Sequence, residues 1–153
     1  MSQFHLAQLN IATALAEMDS PVMKDFVDNL ERINLLGEQS PGFVWRMKDD
    51  SGNATAIPVY DDPSIIANLT VWQDPESLKN FLFKTEHAQF LKRKKEWFMP
   101  VKQATYVLWW IPAGHLPTLP EAKAKLATLR EHGETAQAFS FKKLFPAETE
   151  KQD

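Results

Sequence analysis

A single-domain α+β fold is what this chain predicts, and three observations carry it. Apolar residues alternate with period two in four separate stretches. Helical three- and four-residue spacing fills the intervals, so the order runs strand, helix, strand and then strand, helix, strand again. Each helical interval is long enough to return the chain across one face of a sheet. With 153 residues and 44% apolar content, the chain can bury a real core as one domain.

The elements follow in order. Phe4 to Ile11 alternates, with Ala7, Leu9 and Ile11 on one side and Gln8 and Asn10 on the other. Ser20 and Pro21 supply an N-cap and a first-turn proline for a helix. Its stripe is Met23, Phe26, Val27, Leu30, Ile33 and Asn34, and Gly37 is its stop. Gly42 to Lys48 reads as a second strand, closed by a turn-rich Asp-Asp-Ser-Gly-Asn run. Ala54 to Tyr60 reads as a short ribbon that Pro58 demotes to an edge. Ser64 to Gln73 is the clearest strand: Ile65, Ala67, Leu69 and Val71 share one face, and Ile66, Asn68, Thr70 and Trp72 the other.

Asp74-Pro75 repeats the cap-and-proline device and opens a helical region from Glu76 to about Trp97. Tyr106 to Ile111 is the fourth strand. The arrangement predicted is a ferredoxin-like split βαβ, an antiparallel four-stranded sheet with both helices on one side. Thr118, Pro120 and Glu121 then form a capping box for an added helix over 118–132, with Leu119, Ala122, Leu126 and Leu129 as its stripe. Phe139, Phe141 and Phe145 suggest an extended segment laid against the body. The domain is expected to span 1–146, with 147–153 a frayed tail.

Composition excludes several classes. A net charge of -3 argues against a dedicated nucleic-acid binder. The chain has no cysteine, which removes disulfides and thiolate chemistry and suits a reducing compartment. The N-terminal run lacks the pattern of an export signal, and the longest apolar run, Val107 to Ile111, is too short to cross a membrane. A cytoplasmic protein is expected. The glycines stand apart from one another, so no phosphate-cradling loop is present.

Two helices can roof only one face of a four-stranded sheet. The purely apolar strand positions (Ala7, Leu9, Ile11, Ile65, Ala67, Leu69, Val71) are expected beneath them. The opposite face, with Leu6, Gln8, Asn10, Asn68, Thr70, Trp72, Tyr106 and Trp110, mixes amides with large aromatics. Such a surface suits an interface or a small-molecule pocket, mostly apolar with sparse orienting hydrogen bonds. A twin subunit meeting this face would supply both. Alternation alone leaves open whether Trp45 or Arg46 joins it.

Five anchors then carry a resemblance: GFVWR at Gly42 to Arg46, NLTVW at Asn68 to Trp72, HAQFLKRKKEWF from His87, YVLWWIPAGHLPT from Tyr106, and the late AFSFKKLFP. Together they resemble bacterial proteins catalogued as domain of unknown function 3291, over nearly the whole chain to Pro146. That family is grouped with the dimeric α+β barrels, ferredoxin-like protomers pairing sheet to sheet. The superfamily includes cofactor-independent monooxygenases, haem-degrading monooxygenases, chlorite dismutases and dye-decolourising peroxidases. The resemblance thus implies a homodimer but no particular reaction, because one architecture hosts many chemistries. No catalytic residue set carries over to numbered positions.

Candidate residues are weighed singly. His87 lies in an apolar helical stripe with Phe83, Phe90, Leu91 and Lys94. It is the best catalytic candidate, as a general base or an axial haem ligand; the alternative is a core histidine bonded to backbone. Lys92, Arg93, Lys94 and Lys95 point around the whole helix and read as solvated, except Lys94, whose stem is expected to be buried. His5, His115 and His132 lack zinc spacing, and Asp61 and Asp62 fit a turn. No metal is expected. The leading expectation is a homodimer that binds a small aromatic or lipophilic molecule in a semi-apolar pocket between sheet and helices. It could act as a monooxygenase-like enzyme without a cofactor. Gln8, Arg46, Asn68 and His87 would be polar contacts, and Trp45, Trp72 and Trp110 walls. Two alternatives stand beside it: a haem protein ligated by His87, and a non-catalytic dimeric module.

Overall fold

The computed structural model describes residues 3–47 and 64–147. The ribbon expected at 54–60, the turn at Asp61 and Asp62, and all but the first residue of the tail expected at 147–153 lie outside them. Strands β1 (Phe4–Thr13), β2 (Phe43–Arg46), β3 (Ile65–Trp72) and β4 (Tyr106–Pro112) form one antiparallel sheet in the order β2-β3-β1-β4. This is the α+β, split βαβ sheet predicted, with its first and third strands central. The helices are α1 (Lys24–Glu38), α2 (Pro75–Lys84), α3 (His87–Lys92), α4 (Lys94–Trp97) and α5 (Leu119–His132). Among the described residues no helix is long and apolar enough to cross a membrane.

Local chemistry explains most boundaries. Asp74 caps α2, its carboxylate accepting the Ser77 N–H at 2.8 Å, and Thr118 caps α5 by accepting the Glu121 N–H at 3.2 Å. Ser20 does not cap its helix; its hydroxyl donates to the Glu17 carbonyl, and Pro21–Met23 form a 3-10 turn ahead of α1. The long helix expected from Glu76 to Trp97 is three pieces. Thr85 breaks it: its hydroxyl donates to the Phe81 carbonyl and accepts the His87 N–H, while its backbone is extended. The break shifts the helical phase, so Lys94 is exposed rather than buried at its stem. Arg93 instead lies over Trp97, 4.7 Å from the ring, and pairs with Asp25 and Glu96.

The assignment of faces is opposite to the one expected. The aliphatic side, with Ala7, Leu9, Ile11, Ala67, Leu69, Val71, Val107 and Trp109, forms a core with Ala122, Leu126 and Leu129 of α5. The amide-and-indole side is the one roofed by α1 and α2: Leu6, Trp72 and Leu108 pack with Ile33, Leu78, Phe81 and the tail residue Phe139. Part of the face assigned to a twin subunit, around Leu6, Trp72 and Leu108, is therefore covered within the protomer.

The tail segment adds to the β4 edge. Phe139 exchanges backbone hydrogen bonds with Leu108, at 2.7 and 2.9 Å. Phe141 and Phe145 pack beside it, but the segment is not extended throughout as expected: it turns at Phe141 and Lys142, where the Lys143 N–H donates to the Ser140 carbonyl at 3.2 Å. On the other face Glu121 ties α5 to β4. It accepts the Trp109 indole N–H at 2.9 Å and lies 2.8 Å from His115 Nε2. Burial alone would raise its pKa, but hydrogen bonds from His115 and Trp109 outweigh burial and hold it below the ordinary value.

Candidate binding site

The roofed face changes character along its length. At one end it is a closed aromatic box. Trp72 is 1% exposed, edge-on to Phe43 at 5.4 Å and stacked on Phe81 at 5.4 Å. The next rung across the sheet is Leu108, Gln8, Thr70 and Arg46. The rung after it pairs Tyr106 with Asn10 and Asn10 with Asn68. There the roof gives out: Asn10, Ile66 and Tyr106 are half-buried and Asn68 is exposed. A second cluster, Ala14, Met23 and Trp97, closes the far end. Phe90 of α3 touches both clusters, so α3 bridges the gap between them. Between the clusters lies a partly open strip of sheet, termed the trough, that carries two amides and a phenol, with aromatic groups to either side.

A hydrogen-bonded relay separates box from trough. The Trp72 indole N–H donates to Thr70 Oγ1 at 2.9 Å, and the Thr70 hydroxyl donates to Gln8 Oε1 at 2.8 Å. Both Gln8 and Thr70 are buried, at 5% and 7% exposed. Tyr106 Oη accepts the Phe141 N–H at 3.1 Å, which leaves its own proton available.

Gln8, Asn68 and Trp72 therefore share one face, as expected, although it is the helix side. Trp110 joins them at the β4 edge, its indole N–H donating to the Phe145 carbonyl at 2.8 Å. A bulge between Phe43 and Trp45 decides the question alternation left open. Arg46 falls on the rung of Thr70, whereas Trp45 packs into the α5 core and is no wall of the trough. Arg46 is held by Glu38 at 2.5 Å and is 11% exposed, so it is not placed to seize an anion. Thr70 and Tyr106 were legible as members of the face from alternation. Their hydrogen-bonding roles were not.

His87 sits on α3 with its ring 4.8 Å from Phe81 and Nδ1 3.3 Å from the Leu82 carbonyl. Burial lowers its pKa below the usual 6.5, opposed only by that carbonyl. His87 is half-buried beside Phe81, and with Nδ1 against that carbonyl, Nε2 is the ring nitrogen left over. Among the described residues no three His, Asp or Glu side chains gather as metal ligands.

A sequence model of the family described as "Domain of unknown function (DUF3291)" matches residues 5–153. Comparison with curated proteins found no match. Among solved structures, a protein from Pseudomonas aeruginosa is similar at 14% identity and a TM-score of 0.48, over 76% of this chain and 98% of that one. A conserved protein from Methanosarcina mazei gives 11% identity and a TM-score of 0.48, over 72% and 93%. SnoaB, a cofactor-independent oxygenase from Streptomyces nogalater, gives 16% identity and a TM-score of 0.45, over 76% and 98%.

Proposed function

The chain belongs to the DUF3291 family, and from that premise we propose that it binds a small aromatic or lipophilic molecule in the trough over Asn10, Asn68 and Tyr106. One observation carries the reading. On a face whose other half is a closed aromatic core, Asn10 and Asn68 stand opposite each other without a side-chain hydrogen bond, and Asn68 is exposed. Amide groups beside aromatic walls are the makings of a small-molecule site. The reading needs one protomer only. It stops at binding, because the floor holds groups that orient a ligand, while His87, the candidate for proton transfer, is turned to Leu82.

Asn68→Ala tests it. Asn68 is exposed, so its loss should leave stability within about 0.5 kcal/mol. Binding of 2-acetylnaphthalene, followed by tryptophan fluorescence, should weaken several-fold. Unchanged affinity in the folded variant would remove Asn68 from the site.

A further inference from the structure

We infer that Gln8 is a locked hydrogen-bond donor, and that it selects ligands presenting an acceptor oxygen, a carbonyl or a phenolate, over isosteres without one. The inference rests on the binding reading above and narrows it to a ligand chemistry.

The direction of the relay fixes the amide. An indole nitrogen can only donate, so Thr70 Oγ1 must accept from Trp72. The threonine has a single proton, and it goes to Gln8, which must therefore offer its oxygen. Turning the amide over would leave the Thr70 proton without an acceptor among the described residues, so Gln8 keeps its oxygen toward Thr70 and Nε2 with both its protons is left over. Among the described residues no other side-chain hydrogen bond reaches Gln8.

Gln8 is 5% exposed, yet its nitrogen is not sealed in. The buried side-chain nitrogen or oxygen without a partner, among the described residues, is His5 Nδ1. Gln8 Nε2 is thus not wholly sealed, and its rung borders the partly open strip at Asn10 and Asn68. A donor so nearly buried is costly to leave unmet, and a ligand oxygen would meet it.

The neighbours agree on sign. Tyr106, across β4 from Asn10, accepts from Phe141 and keeps its proton to give. Asn10 and Asn68 can present either end of their amides and do not discriminate. Arg46, on the same rung, is neutralised by Glu38. Two donors without net charge suit an oxygen acceptor.

A matched pair of probes reads this directly in the full chain: 2-acetylnaphthalene and 2-isopropenylnaphthalene, which differ by a carbonyl oxygen against a methylene. The ketone should bind about fivefold more tightly, the worth of one neutral hydrogen bond. That advantage should vanish in Gln8→Met. Equal affinities in the unaltered protein would overturn the donor assignment while leaving the trough as a binding site. Binding of neither probe would overturn both readings, and an advantage that survives in folded Gln8→Met would assign it elsewhere. Should Gln8→Met not fold, the side-chain amide resonance of Gln8 in the unaltered protein decides. It should shift with the ketone and stay still with the alkene; a shift with neither, or with both alike, would sink the inference.

Discussion

Replacing Thr70 with valine keeps the shape of the side chain and removes the hydroxyl at the centre of the relay. Two groups lose their partner at once: the Trp72 indole N–H, at 1% exposure, and Gln8 Oε1, at 5%. Leaving a buried donor or acceptor unmet costs about 1–3 kcal/mol each, so Thr70→Val should lose about 2–5 kcal/mol. For a chain of this size a loss of about 3 kcal/mol lowers Tm by about 6–12 °C. Urea unfolding followed by tryptophan fluorescence, with calorimetry beside it, measures both quantities. Trp72→Phe supplies the control. It removes the indole donor, so in the Thr70→Val background it should cost about 1–2 kcal/mol less than it does alone. A Thr70→Val loss below about 0.5 kcal/mol, or a double-mutant cycle that simply adds, would refute the relay and with it the locking of Gln8.

Two other outcomes are expected. His87 has a pKa lowered by burial, so the unfolded chain binds its proton more readily than the folded one. Stability should therefore fall as pH drops through the ordinary value of 6.5 toward the lower folded value, and His87→Phe should flatten that part of the curve. An unaltered slope in the variant would place the dependence on another group. Leu126, buried at 1% in the α5 core, should cost about 2–5 kcal/mol as Leu126→Ala. A cost under about 1 kcal/mol in urea unfolding would mean that α5 is not part of the core of the aliphatic face.

Local rules by themselves determined a good deal of this protein. Alternation in β1 and β3 sorted Gln8, Asn68 and Trp72 onto one face and Ala7, Leu69 and Val71 onto the other, because successive side chains of a strand must point to opposite sides. The caps at Asp74 and Thr118 and the strand order of a split βαβ were legible for the same reason: each depends on a few neighbouring residues. Tertiary packing decided the rest. Period two says which residues travel together, never which side a helix will choose. Here both sides were apolar enough to be covered: α1 and α2 roof the side of Trp72, and α5 covers the side of Trp109. One extra residue in β2 put Arg46 rather than Trp45 on the face of Trp72, and one threonine hydroxyl at Thr85 rephased the basic run. In the relay from Trp72 through Thr70 to Gln8, the Thr70–Gln8 link joins residues 62 apart in the chain, so only the folded sheet could bring those three polar groups to one rung and its neighbour.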